Sequence, residues 1–184
     1  MNDNVNLTFK ICFLGDSAVG KTSLIRKYVF DIFDDSYLMT MGTKITKKDV
    51  TIEMPKYNKT FNITFLIWDI IGDIHFRRLL HHSYLYGAAG ALCVCDVTRP
   101  QTLENLDFWI NSLQEEGDRG VPAILLANKS DIIEKRNFNE ENLETLSKRN
   151  KSPWLLTSAK TGANVEKAFR ILGRRIIDNF MRNT

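Results

Sequence analysis

Cysteine is scarce in this chain, and the three that occur exclude a disulfide framework. Cys12, Cys93 and Cys95 all fall in apolar, strand-like runs. Two residues apart in a strand, Cys93 and Cys95 share a face and are poorly placed to bridge, so all three are expected as buried free thiols in a reducing compartment. An excess of charge is missing too. The 25 Lys and Arg stand against 22 Asp and Glu, and a net +3 is too little to expect nucleic acid as a partner. No apolar run approaches the length of a membrane-spanning helix, and the polar opening Met1-Asn2-Asp3-Asn4 lacks the pattern of a secretory leader. Asn2 excludes N-myristoylation, and no cysteine follows Cys95 to carry a prenyl group. The expectation is a cytoplasmic monomer without a lipid anchor of its own, touching membranes at most peripherally. His75, His81 and His82 have no ligand-spaced partners, so they are expected on the polar side of a helix rather than at a metal. Without repeats, low-complexity tracts or linkers, the 184 residues read as one domain over 1–184, and 43% hydrophobic content is enough to bury a core.

What is present begins with Gly15-Asp16-Ser17-Ala18-Val19-Gly20-Lys21-Thr22, which satisfies the phosphate-loop pattern of Gly, four residues, Gly-Lys-Thr. A strand-like stretch, Leu7 to Leu14, precedes it, and Leu24, Ile25, Tyr28 and Val29 follow at helical spacing. In the geometry this context predicts, backbone N–H groups of residues 17 to 22 ring a phosphate at a helix start, where the macrodipole adds to the attraction. Gly15 and Gly20 permit close approach. Lys21 would reach β- and γ-phosphate oxygens, and the Thr22 hydroxyl would ligate magnesium. A glycine turn followed by an ordinary helix start would satisfy the same short pattern, so the rest of the chain has to decide.

The remaining elements alternate. Asp31 to Gly42 is a polar, turn-rich loop, long enough to carry function. Thr43 to Glu53 and Phe61 to Trp68 read as strands joined by a hairpin turn over Met54 to Thr60. A helical stretch follows Asp69-Ile70-Ile71-Gly72 and runs to about Tyr86. Further strands fall at Ala91 to Val97, Val121 to Ala127 and Trp154 to Thr157. Helices fall after Pro100, with Leu103, Leu106, Trp109, Ile110 and Leu113 on one face, over Asn139 to Lys148, and from about Asn164. On the last helix Arg170, Arg174 and Arg175 read as a solvated face, and Trp109 reads as core packing. The fold class is α/β: a six-stranded, mostly parallel sheet with one antiparallel edge strand and helices on both faces. Ligands of such sheets sit beyond the carboxyl ends of the strands, where the motifs at 15, 69, 128 and 158 would converge.

At this point the sequence resembles the small Ras-like GTPases, with Rab-type features, over nearly its whole length. The resemblance implies a P-loop fold of the small G domain type, GTP or GDP with Mg2+ as ligands, and slow hydrolysis of GTP. It is carried by the phosphate loop GDSAVGKT, by Asp69 and Gly72 as the Asp-x-x-Gly motif, by Asn128-Lys129-Ser130-Asp131, and by Thr157-Ser158-Ala159-Lys160. The implied cofactor-binding residues are Asp16, Ser17, Ala18, Val19, Gly20, Lys21, Thr22, Ser23, Phe33, Tyr37, Thr40, Gly72, Asn128, Lys129, Asp131, Ser158, Ala159 and Lys160. Thr22, Thr40 and Asp69 are implied around the metal, and Asp73, Thr40, Gly72 and Lys21 around the reaction. Within this scheme Asp131 selects guanine, because a carboxylate accepts both the N1–H and N2–H2 donors and adenine offers no such pair. The partners implied are an effector, an exchange factor and a GTPase-activating protein, meeting the segments around Thr40 and Asp73.

The sequence also departs from the family. The aromatic triad that meets Rab effectors would fall on Ile45, Trp68 and Tyr84, where one aromatic is missing. The hairpin between Thr40 and Asp69 is longer than usual. Where the family carries the glutamine that orients the attacking water, this chain has Asp73, preceded by Ile71 and Gly72. An acceptor-only carboxylate, one methylene shorter, favours slow intrinsic hydrolysis; at the limit the chain is a GTP-locked binding module.

Overall fold

Strand β1 (Asp3–Leu14) is the spine of the sheet, pairing in parallel with β3 (Lys59–Asp69) on one side and with β4 (Gly90–Asp96) on the other. The computed structural model describes residues 3–34, 43–72, 84–116, 120–132 and 139–183. Beyond β3 lies β2 (Lys44–Met54), antiparallel, and beyond β4 lie β5 (Ala123–Asn128) and β6 (Trp154–Leu156), both parallel. The order β2-β3-β1-β4-β5-β6 is the six-stranded sheet with one antiparallel edge that the alternation of elements predicts.

Two apolar cores form because successive residues of a strand face opposite sides. Ile11, Phe13, Leu92, Val94, Ile124 and Leu126 face α1 (Lys21–Phe30) and α5 (Val165–Asn183), whose Phe169 stacks flat on Tyr28 with ring centroids 3.5 Å apart. Cys12, Leu14, Cys93, Cys95 and Leu125 face the other way, against α3 (Leu106–Glu116) and α4 (Glu140–Asn150). β4 and β5 are therefore buried along their whole length. The three cysteines are free and buried, and burial pushes each thiol up to about 12, so they pack as small apolar side chains.

Several boundaries differ from the sequence expectation, each for a tertiary reason. β1 begins at Asp3 rather than Leu7, because the long β2–β3 hairpin supplies partners from Lys59 onward. That hairpin turns through a 3-10 segment, Pro55–Tyr57, and its tip is anchored where the Tyr57 hydroxyl donates to Asp178 of α5 at 2.8 Å. The helix expected after Pro100 is two: α2 (Gln101–Glu104) and α3, separated at Asn105. Its five apolar residues are all buried as expected. Asn139 caps α4, accepting from the Glu141 N–H at 2.7 Å. Arg175 is a correction: Arg170 and Arg174 are exposed, but Arg175 is half-buried and its Nη2 donates to the Lys151 carbonyl at the end of α4 at 2.8 Å. Of the helix expected up to Tyr86, residues 73–83 lie outside the described residues, and His75, His81 and His82 with them. Among the described residues no helix is long and apolar enough to cross a membrane.

Candidate functional site

Leu14, Asp69, Asp96, Asn128 and Leu156 end five neighbouring strands on one edge of the sheet, so the polar segments that follow them share one crevice. The loop of residues 15–20 joins β1 to α1, and Gly20 stands at the helix N-cap in the left-handed region, φ +98°. A Cβ on Gly20 would lie 2.3 Å from Asn128 Nδ2, so only glycine admits Asn128 here. Asn128 is fully buried, donates to the Val19 carbonyl at 2.9 Å and accepts from the Thr157 hydroxyl at 3.3 Å. One amide thus ties the loop to the segments after β5 and β6. The Asp16 carboxylate is held from the side, by Asn105 Nδ2 at 2.6 Å and by Trp109 Nε1 at 3.0 Å. The break between α2 and α3 and the buried Trp109 therefore position the loop; for Trp109 this adds a polar contact to the expected core packing.

Lys21 opens α1 with its ammonium buried, donating to the Gly15 carbonyl at 2.7 Å and the Asp16 carbonyl at 2.8 Å. Burial, aided by the Arg99 cation, pushes this ammonium down to about 8, against the opposing pull of Asp69 and Asp16. The next residue, Thr22, donates its hydroxyl to Asp69 Oδ2 at 2.5 Å. Asp69 is 2% exposed, and burial raises its carboxyl above the usual range despite that bond. Its other oxygen, Oδ1, is buried with no hydrogen-bond partner among the described residues. An orphaned carboxylate oxygen beside a threonine hydroxyl suits a hard cation that completes its shell with water and phosphate oxygens. No group of three or more His, Cys, Asp and Glu that could hold a metal gathers among the described residues. Gly72 closes this end: a Cβ there would lie 2.4 Å from both the Asp16 carbonyl carbon and Lys21 Nζ.

At the other end of the crevice Asp131 is half-buried, and its Oδ1 accepts from the Ser158 hydroxyl at 2.5 Å. The Ser130 N–H donates to the Thr157 carbonyl at 3.0 Å, which locks the two segments together. Ala159 is buried behind them and Lys160 is exposed. Lys129, in the left-handed region at φ +68°, sends its ammonium to Asp96 Oδ2 at 2.6 Å. Burial alone would raise the Asp96 carboxyl, and bonds from Lys129 and Thr98 more than offset it, holding it below the usual carboxylate range.

The structure thus brings together Asp16 to Thr22, Asp69, Gly72, Asn128 to Asp131 and Ser158 to Lys160. Ser23 follows on α1, half-buried, and Phe33 is half-buried against the core that holds Phe169. Tyr37, Thr40 and Asp73 lie outside the described residues. Ile45 is 53% exposed and stands opposite Trp68, which meets Tyr84 edge-on at 6.1 Å. Sequence reasoning missed Asp96, Arg99 and Asn105. The one signal for Asp96 was a carboxylate ending the apolar run of β4.

A family model described as Ras family matches residues 10–178. Ras-related protein Rab-13 of Rattus norvegicus is 35% identical over 169 residues, 92% of this chain and 80% of that protein. Ras-related protein Rab-8B of Homo sapiens is 33% identical over 174 residues, 95% of this chain and 81% of that protein. GTP-binding protein ypt1 of Schizosaccharomyces pombe is 32% identical over 184 residues, 100% of this chain and 87% of that protein.

Proposed function

This chain belongs to the Ras family, as a Rab-like small GTPase, and from that premise we propose that it is a guanine-nucleotide switch whose own hydrolysis of GTP is slow. The observation that carries this reading is the Asn128 bond to the Val19 carbonyl, which joins a guanine-type motif to a phosphate loop in one crevice. The N–H groups of residues 17 to 22 and the Lys21 ammonium hold the phosphates. Asp131 accepts the guanine N1–H and N2–H2, steadied by Ser158, while Lys129, Ala159 and Lys160 border the base and Phe33 closes its edge. Thr22, with Thr40 and Asp69 through water, would hold Mg2+; when bound, the ion neutralises charge on the β- and γ-phosphates.

Hydrolysis transfers the γ-phosphoryl group to water, giving GDP and phosphate. Lys21 and the Gly72 N–H stabilise charge on the transferring group, and Thr40 and Gly72 order their segments in the GTP state only. The resemblance gives Tyr37 the role of covering the phosphates. Asp73 stands where a glutamine would position the water. Ionised, it accepts but does not donate, and it brings negative charge toward a triphosphate. Asp73→Gln is therefore expected to speed single-turnover hydrolysis of GTP by about tenfold or more, each tenfold being about 1.4 kcal/mol of barrier. Equal rates for the two chains would remove Asp73 as the impairment. A chain that holds GTP without turnover is the second reading, favoured by the same residue, and the same assay separates the two. Exchange factor, activating protein and effector are proposed to act on the segments around Thr40 and Asp73, on a monomeric domain spanning 1–184 in the cytoplasm or at a membrane surface.

Thr22→Asn tests the metal side. Replacing the hydroxyl that faces Asp69 should weaken GTP at least about tenfold more than GDP, because this hydroxyl would hold Mg2+ beside the γ-phosphate that only the triphosphate carries. Dissociation of fluorescent GTP and GDP, with and without a chelator, reads this out. Equal losses on both nucleotides would take Thr22 out of a GTP-specific metal role.

A further inference from the structure

Ala18 sits inside the phosphate loop at φ +61°, a left-handed region that disfavours a residue with a Cβ. Something must hold it there. The described chain contains no cis peptide, and in a planar trans peptide a carbonyl and the following N–H point in opposite directions. The Val19 carbonyl is taken from outside the loop by Asn128, which turns the Gly20 N–H the other way. The Ser17 carbonyl is taken in the same manner by Arg99, whose Nη2 donates to it at 2.9 Å. The Ala18 N–H is thereby aimed opposite to Arg99.

Arg99 is itself well placed to act as a fixed clamp. Its Nε donates to Asp96 Oδ2 at 3.0 Å, and that carboxylate is 1% exposed at the end of β4. The other oxygen of Asp96 accepts from the Thr98 N–H at 2.9 Å and the Thr98 hydroxyl at 2.7 Å, so its plane is fixed. Pro100 follows and narrows the backbone choices of Arg99. The guanidinium thus uses its rigid fork to bridge a buried carboxylate and a loop carbonyl, a geometry an ammonium does not reproduce. The same Asp96 oxygen receives Lys129 at 2.6 Å, so one carboxylate anchors both the clamp on the loop and the lysine beside Asp131.

We propose that Arg99 is a positioning residue of the nucleotide site: by holding the Ser17 carbonyl it keeps Ala18 left-handed and aims the Ala18 N–H at the phosphates, and through Asp96 it couples that peptide to Lys129. This rests on the reading of residues 15–22 as a phosphate loop. The ligand group concerned is the diphosphate common to GTP and GDP, so the effect falls on both, unlike that of Thr22→Asn.

The test measures release of fluorescent GDP and GTP from the full chain with Mg2+. Arg99→Ala should release both about tenfold faster, equivalent to about 1.4 kcal/mol. Arg99→Lys, which keeps the charge but loses the fork, should fall between Arg99→Ala and the unaltered chain. Glycine enters the left-handed region freely, so adding Ala18→Gly to Arg99→Ala should recover part of the slow release. In the GDP complex the Ala18 amide proton resonance should move on Arg99→Ala and return toward its place when the Arg99→Lys chain is measured instead. Unchanged release from both Arg99 variants overturns the inference, as does a faster release that leaves the Ala18 resonance in place. A chain that binds neither nucleotide before any substitution overturns the proposed function and this inference with it.

Discussion

Replacing Asp131 by asparagine is expected to weaken GDP by at least about 100-fold and to turn the preference toward xanthine diphosphate. Ionised Asp131 only accepts, and Ser158 fixes one of its oxygens by donating to it at 2.5 Å. Guanine presents two adjacent donors to such a carboxylate, a charge-assisted pair. An asparagine sets an NH2 against one of those donors. Xanthine carries a carbonyl in place of the exocyclic amine, and so matches the amide's one acceptor and one donor. Sites built around a buried hydrogen-bonding group reject a mismatched partner by roughly 10⁴–10⁵. Asp131 is only half-buried, so water relieves part of the mismatch and the expected factor is smaller. Competition of GDP, XDP and ADP against fluorescent GDP measures it. An unchanged order of affinities in Asp131→Asn would detach this residue from the base.

The second large effect is expected at Gly72. An added methyl would meet the Asp16 carbonyl carbon and Lys21 Nζ, each at 2.4 Å, so the chain after β3 must retreat from the phosphate loop. Overpacking of this kind costs about 1–3 kcal/mol. Lys21 is buried and already committed to the Gly15 and Asp16 carbonyls, so it has little room to yield. Retreat moves the Gly72 N–H away from the end of the crevice where Lys21 and Thr22 lie, which is where the proposed function puts the third phosphate. Gly72→Ala should therefore lose about 10- to 100-fold in affinity for GTP while GDP changes by less than about threefold, the split expected when an interaction serves one ligand alone. Equal losses on both nucleotides would mean that the methyl only disturbs the loop.

Much of this was legible before the fold was known, and the reason is local chemistry. Gly15 to Thr22 and Asn128 to Asp131 announce themselves because backbone approach and hydrogen-bond capacity demand those residue types at those spacings. The two cores were legible because strand alternation and helix periodicity sort Phe13 from Leu14 and Leu106 from Asp107. Partners across the sheet were not. β1 reaches back to Asp3 only because a long hairpin offers it a ladder, and nothing in Asn4 or Asn6 carries that information. Periodicity reads Trp109 as buried and is silent about its indole N–H, which finds Asp16 only once α3 is folded against β4. Asp96 reads only as part of the strand Ala91 to Val97, and Arg99 carries no signal, until the turn between β4 and α2 is seen to reach Ser17 and Lys129. Tyr37, Thr40 and Asp73 lie outside the described residues, and their roles rest on the resemblance of motif and order.

The central claim is that the crevice beyond the strand ends selects a guanine nucleotide. Equilibrium titration of the nucleotide-free chain with fluorescent GDP and fluorescent ADP, in the presence of Mg2+, tests it most directly. The account predicts tight binding of GDP and ADP weaker by at least about 1,000-fold, since adenine leaves Asp131 without its pair of donors. Comparable affinities for the two, or no binding of either, would contradict it.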